Sequence, residues 1–187
     1  PRSTVATTTE IYDYLRLLFA RCGQPTCWHS NGKNGVCGRP ISAASASQIV
    51  ETLMTRPEGA RMMICAPIIR GKKGYHREVI EGLQKHGFVR ARVDGEVIDI
   101  RDALKEGGDN PLNLGRYEMH TIEAVVDRVV IQPEVRQRLA DSVEVALKLS
   151  EGVLVVLIEE DGRWVEHRFS EKFACPDHPE CSVEELE

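Results

Sequence analysis

At 187 residues, with 42% hydrophobic and 28% charged content, the chain can bury one ordinary core plus a small appendage and is too apolar to be disordered. Its formal charge of −5 excludes wholesale electrostatic binding to nucleic acid, although a local basic strip stays compatible with it. There is no run of about 18 apolar residues and no basic n-region or apolar h-region at the start, so we expect no membrane partner and a cytoplasmic location. Because the chain opens on Pro1, we read it as a piece of something longer.

Thr7 to Glu10 has the T-x-x-E capping-box pattern, and Ile11, Leu15, Leu18 and Phe19 recur at helical spacing to about Arg21. With Tyr14 that stripe is wider than a solitary helix needs, so it is expected to pack on parts of a parent protein. Residues 23–42 are rich in glycine, asparagine and proline, and Cys37-Gly38-x-Pro40 reads as half of a zinc knuckle. Ser45-x-x-Gln48 opens a second helix, with Ile49, Val50, Leu53 and Met54 on its buried face and Pro57 at its end.

Residues 61–100 read as strand, helix and hairpin. MMICAPII suits a buried strand, in which Cys65 is a small core hydrophobe, and Arg70-Gly71-Lys72-Lys73-Gly74 reads as a basic turn. Val79, Ile80 and Leu83 face the core from the next helix, which Gly87 stops. Phe88 to Val93 then alternates, setting Arg90 and Arg92 on one face, and Asp94-Gly95 is a two-residue hairpin signal.

Residues 101–118 form a polar surface excursion, and residues 120–131 form a β-branched strand interrupted by Asp127-Arg128. Pro133 suits the first turn of a helix whose stripe is Val135, Leu139, Val143, Ala146 and Leu147. Val153 to Ile158, a turn at 159–162 and Arg163 to Ser170 complete a second hairpin, and Ser182-x-x-Glu185 begins another helix. We therefore expect an α/β (α+β) fold: a mixed β-sheet with packed helices, inserted on a zinc-knuckle base.

Six cysteines in a reducing compartment point to metal binding or burial rather than disulfides. Cys27 with Cys37, and Cys175 with Cys181, are each half of a tetrahedral site, and an insertion whose ends meet would bring the halves together. The expected structural zinc therefore has Cys27, Cys37, Cys175 and Cys181 as ligands, with His178, then His29 or Cys22, as alternates. No catalytic constellation emerges. Neither Gly32-Lys33 nor Gly71-Lys72 is followed by Ser or Thr, so no P-loop is present and no ATP binding is expected of this chain.

The segments PRSTVATTTEIYDYLRLLFAR, APIIRGKKGYH, GFVRARVDGE, HTIEAVVDRVVI, RLADSVEVALKL and FSEKFACP together resemble the UvrA family, the damage-sensing ABC-type ATPases of bacterial nucleotide excision repair. The resemblance covers nearly the whole chain. It departs at Ala6, where the family has glycine, in longer knuckle loops and in a longer 101–118 connection. It implies that residues 1–43 flank the first ATP-binding half, residues 44–170 form an inserted domain that docks UvrB, and residues 171–187 hold the second knuckle. It implies a non-catalytic interaction region of a parent that is a homodimeric ATPase and engages DNA. The docking charges it implies are Arg90 and Arg128, with Arg92, Asp94 and Asp127 beside them. A competing reading makes the chain a nucleic-acid-binding module that uses Arg70, Lys72, Lys73, His76 and the arginine strand face.

Overall fold

The computed structural model describes residues 11–30, 35–105, 108, 110–175, 177, 178, 181 and 182. The chain divides into two units, one formed by Pro1–Ser42 with Phe173–Glu187, the other by Ala43–Lys172. The Thr7 to Glu10 capping box, the Gly32-Lys33 step and the helix start running from Ser182 to Glu185 fall outside the described residues, wholly or in part.

In the first unit, α1 (Ile11–Cys22) buries none of its residues and leaves Tyr14 and Phe19 more than 60% exposed, at 67% and 69%. Its other described residues are loop, tied by short antiparallel bridges between Thr26 and Pro40, Ser30 and Val36, and Ala174 and Ser182.

The second unit contains α2 (Ala46–Met54), β1 (Arg61–Lys73), α3 (Arg77–Lys85), β2 (Arg90–Val93), β3 (Glu96–Asp99) and α4 (Ile100–Lys105). It continues with β4 (Met119–Val130), a 3-10 turn (Pro133–Val135), α5 (Arg136–Leu149), β5 (Val153–Glu160) and β6 (Arg163–Ser170). The six strands lie in the order β3-β2-β4-β1-β5-β6, and every pairing is antiparallel. This is the expected α+β class.

Local chemistry sets the element boundaries. Ser45 and Gln48 exchange the two bonds of a capping box: the Gln48 N–H donates to Ser45 Oγ at 3.3 Å, and the Ser45 N–H donates to Gln48 Oε1 at 2.9 Å. Asp94 and Gly95 both have positive φ, 47° and 95°, as do Asp161 and Gly162, at 49° and 75°, which is what two-residue type I′ hairpins require. The second turn is therefore two residues long, and Glu159 and Glu160 extend β5.

Two other expectations change. Arg70 to Gly74 is not the turn: β1 runs on to Lys73 through register shifts between Pro67 and Lys72, with Gly71 at φ 55°, and the chain reverses at Gly74 and His76. Residues 101–118 are not all excursion either. Asp99 Oδ1 accepts the N–H groups of Arg101 at 2.9 Å and Asp102 at 3.3 Å, which caps α4.

The main core lies on the helix-covered face of the sheet. Ile49 and Leu53 of α2, Ile80 of α3, Ile100 of α4, and Leu139 and Val143 of α5 pack on Ile64, Ile122, Leu154 and Val156. A second apolar layer, Met63, Cys65, Val125, Val155 and Leu157, is buried on the opposite face, although among the described residues no helix residue belongs to it. The curl of the sheet buries it. Arg92 of β2 reaches Glu166 of β6, yet in the strand order three strands separate them. A flat sheet would hold those strands about 19 Å apart, too far for an arginine and a glutamate to bridge from one surface.

Candidate interaction face and metal centre

The metal-ligating side chains lie in the first unit. The Cys27 N–H donates to the Arg39 carbonyl at 2.8 Å, the Gly38 N–H to that of Cys27 at 2.9 Å, and the Cys37 N–H to that of His29 at 2.9 Å, closing a knuckle. A second turn forms where the Cys175 N–H donates to the Cys181 carbonyl and the Cys181 N–H to that of His178. Cys27, Cys175 and Cys181 are buried together with Ile41, and Cys37 packs against them.

Ligand atoms of Cys27, Cys37, Cys175 and His178 all lie within 4.8 Å of one another, so the group can hold a metal ion. Cys27 Sγ is 3.4 Å from His178 Nδ1, and Cys175 Sγ is 3.7 Å from it. A tetrahedral zinc with ordinary bond lengths would hold a sulfur and a nitrogen about 3.6 Å apart, so the donor set fits that ion. The fourth place in this cluster goes to His178, the alternate, while Cys181 shapes the turn beside it. His178 is stacked on His29, ring centroids 3.8 Å apart, which orients the imidazole. Burial pushes the Cys27 thiol up and takes Cys175 to about 11, whereas the Arg39 backbone N–H lowers Cys37.

The expected docking charges lie in the second unit, and the structure sorts them into two sets. Arg92 faces the concave side of the sheet, where its Nη1 donates to Glu123 Oε2 at 2.7 Å and to Glu166 Oε2 at 2.9 Å. Glu123 is 1% exposed, its Oε1 has no hydrogen-bond partner among the described residues, and burial raises its pKa against the pull of Arg92. Asp94 accepts the Thr121 N–H at 2.8 Å and pairs with His120 Nδ1 at 2.6 Å. Asp127 accepts Arg138 Nε and Nη2 at 2.8 and 2.6 Å, Ser142 Oγ at 3.0 Å and the Arg128 N–H at 2.7 Å. These three side chains are thus held in intramolecular pairs.

Arg90 and Arg128 are different. Both are exposed, and no hydrogen bond or ion pair among the described residues engages either guanidinium. A bulge in β4 positions them. Ile64 pairs with Asp127 but Cys65 with Val125, so one residue is left over and the alternation inverts. Asp127 consequently turns to α5, and Arg128 shares the concave face with its partner Met63. Because β2 pairs with β4 only as far as Ala124, a groove of about 620 Å³ opens between Val89 and Arg90 on one side and Val126, Arg128 and Arg138 on the other. Asp127 and Arg138 also cap the outward N–H and C=O of Arg128, blunting that exposed strand edge. A second slot, of about 320 Å³, is lined by Arg61, Met63, Val97, Arg128, Val130 and Trp164. No sequence signal identified it, because its walls come from β1, β3, β4 and β6.

Of the basic turn, Arg70 Nη2 donates to the Ser150 carbonyl at the end of α5, at 3.0 Å, and His76 Nε2 bonds the Lys72 carbonyl at 2.9 Å. Lys72 and Lys73 remain exposed. Among the described residues, no helix is long and apolar enough to cross a membrane.

Known proteins give these features a context. The chain is 48% identical over 187 residues to UvrABC system protein A of Thermus thermophilus, covering 100% of this chain and 18% of that protein. The corresponding protein of Clostridium tetani is 47% identical over 178 residues, covering 95% and 17%, and that of Methanothermobacter thermautotrophicus is 47% identical over 189 residues, covering 100% and 18%. The chain therefore spans less than a fifth of the length of these relatives. The profile of the UvrA interaction domain matches residues 44–160. The chain belongs to the UvrA interaction domain family.

Proposed function

We propose that this chain is the region of a UvrA-type DNA-repair ATPase that docks UvrB, that residues 44–170 are the inserted docking domain, and that Arg90 and Arg128 make the decisive contacts. The observation that carries the reading is the sorting of charges: among the described residues Arg90 and Arg128 stay unpaired at one groove, whereas Arg92, Asp94 and Asp127 are neutralised within the fold. Arginine suits such a role because its planar fork binds carboxylates at two points. ATP, DNA and a second copy are engaged by the rest of a longer UvrA-type protein. The knuckle holds a structural zinc through Cys27, Cys37, Cys175 and His178, which would fix the loops that flank the insertion.

The nucleic-acid reading draws less support, since Arg70 is tied to α5 and Arg92 to two carboxylates. Calorimetry of the chain with purified UvrB, without DNA, tests the docking proposal. Saturable one-to-one binding is the expected result. Absence of binding, together with DNA binding that falls steeply with salt, would overturn it in favour of the basic surface.

A further inference from the structure

The slot beside Arg128 is not needed for the charge pairing just proposed, and its composition is different. Trp164 of β6 is 48% exposed, Val97 of β3 38% and Val130 of β4 43%, so three large apolar side chains from three strands stand half in solvent around one concavity. Met63 closes its floor. Two arginines stand at its rim, and they differ: Arg61 Nε is paired with Glu159 at 2.7 Å, while Arg128 has no partner among the described residues. Arg128 also lines the larger groove, so one side chain forms the wall between the two concavities.

The sheet's curl makes this arrangement possible. Val97 stands opposite Arg92 in the β2–β3 hairpin, and Trp164 stands opposite Glu159 in the β5–β6 hairpin. The Arg92 bridge to Glu166 holds those two hairpins over the same concave surface. The slot is thus built on paired strands held by a part-buried ion network. A preformed recess presents its apolar walls without an ordering cost at binding, and tryptophan and arginine around a desolvated pocket are the residue types that dominate binding energy.

Resting on the docking reading above, we propose that this slot seats an apolar side chain of UvrB next to a UvrB carboxylate, the apolar group entering between Trp164 and Val97 and the carboxylate meeting Arg128. Charge complementarity selects this occupant. An apolar group alone would leave Arg128 desolvated and unpaired at the rim, and a basic one would be repelled by both arginines.

The test uses this chain with Trp28→Phe, so that Trp164 is the single emitting tryptophan, titrated with purified UvrB. Trp164 emission is expected to shift to the blue on binding. Trp164→Ala and Val97→Ser should each weaken binding about tenfold, at low and at high salt alike, while Trp164→Phe stays within about threefold of the parent. Arg128→Ala should weaken binding mainly at low salt. If Trp164→Ala and Val97→Ser bind as the parent does and emission does not move, the slot proposal fails even though Arg128→Ala still weakens binding and the docking reading stands. If Trp164→Ala weakens binding and Arg128→Ala does not, the slot takes an apolar group without the acid, and the proposal fails in that half. No binding of the parent chain to UvrB overturns both readings. Unchanged circular dichroism and melting qualify each variant.

Discussion

Arg92 and Glu166 meet at 2.9 Å although three strands separate β2 from β6 in the sheet order. The same guanidinium nitrogen holds Oε2 of the buried Glu123 at 2.7 Å, so one residue ties β2 to β6 across the curl of the sheet and pairs with the most deeply placed carboxyl on its concave face. Arg168 Nε joins the network at Glu166, at 2.6 Å.

Removing that residue should therefore be costly. Arg92→Ala leaves Glu123 buried without its partner, a change that typically costs about 3–5 kcal/mol. The double replacement Arg92→Met with Glu123→Leu should recover most of the loss, since an apolar pair of similar volume needs no counter-charge. Urea denaturation of the two variants compares these costs. Equal destabilisation by both would mean that packing, and not the ion pair, sets the cost.

His120 gives the fold a dependence on pH. Its Nδ1 faces Asp94 and its Nε2 faces the Gly115 carbonyl at 2.8 Å, so both ring nitrogens must donate, which requires the imidazolium. The Asp94 hydrogen bond, then the Gly115 carbonyl, raise His120 above its ordinary 6.5, with Glu118 also favouring the charge. A pKa raised by folding contributes stability that is fully present below pH 6.5 and is lost as pH rises through the folded value. Burial pushes Asp94 up, but the Thr121 N–H and His120 hold it below 3.8, so its contribution is lost only in acid. Melting temperature should fall from pH 6 towards pH 8, and His120→Gln should flatten that slope.

At the knuckle, freshly purified reduced protein should contain about one zinc per chain by elemental analysis. His178→Ala should lose most of it, while Cys181→Ser should keep it, because His178 Nδ1 and not Cys181 Sγ lies within the shared 4.8 Å. Chelation should disturb amide resonances of residues 23–42 and 173–182 and leave those of residues 44–170 in place. Retention of metal by His178→Ala and loss from Cys181→Ser would reverse the assignment.

For the docking charges, Arg90→Ala and Arg128→Ala should each lower UvrB affinity by at least about tenfold, or about 1.4 kcal/mol, with unchanged circular dichroism. Glu at position 90 should be worse than Ala, because it adds repulsion to the lost contact. Normal binding by both alanine variants would reduce the two arginines to a solvated strand face.

Much of this was legible locally. The Ser45 and Gln48 cap, the Asp94-Gly95 turn and the Gly87 stop, at φ 85°, each depend on a few adjacent residues whose chemistry admits one answer. Three of the four cysteines expected together, Cys27, Cys37 and Cys175, share one cluster, and the half-site spacing pointed to them although they lie far apart in the chain. What the sequence concealed is non-local. Arg90 and Arg92 share a strand face and look equivalent, but the curl carries β6 over Arg92 and leaves Arg90 open. Asp127 and Arg128 look like one charged step, and a single bulged residue sends them to opposite faces. His178 and Cys181 both follow Cys175 within one short loop and both are zinc-ligand types, so only the path of that loop brings the imidazole forward. The Arg70 to Gly74 stretch carries turn residues, yet register shifts absorb its glycine within β1.

The N–H of Ala44 donates to the carbonyl of Ser170 at 2.9 Å, so the two ends of the sheet-bearing unit, which runs from Ala43 to Lys172, are hydrogen-bonded neighbours. A unit whose ends touch behaves as a cassette. If residues 44–170 are an insertion, as proposed above, they can be cut out and the host closed with a linker of a few residues; the unit's own termini can likewise be joined without stretching any strand. Evolution has the same freedom: such a cassette can be gained, lost or diversified in one step while the protein that carries it keeps its own fold.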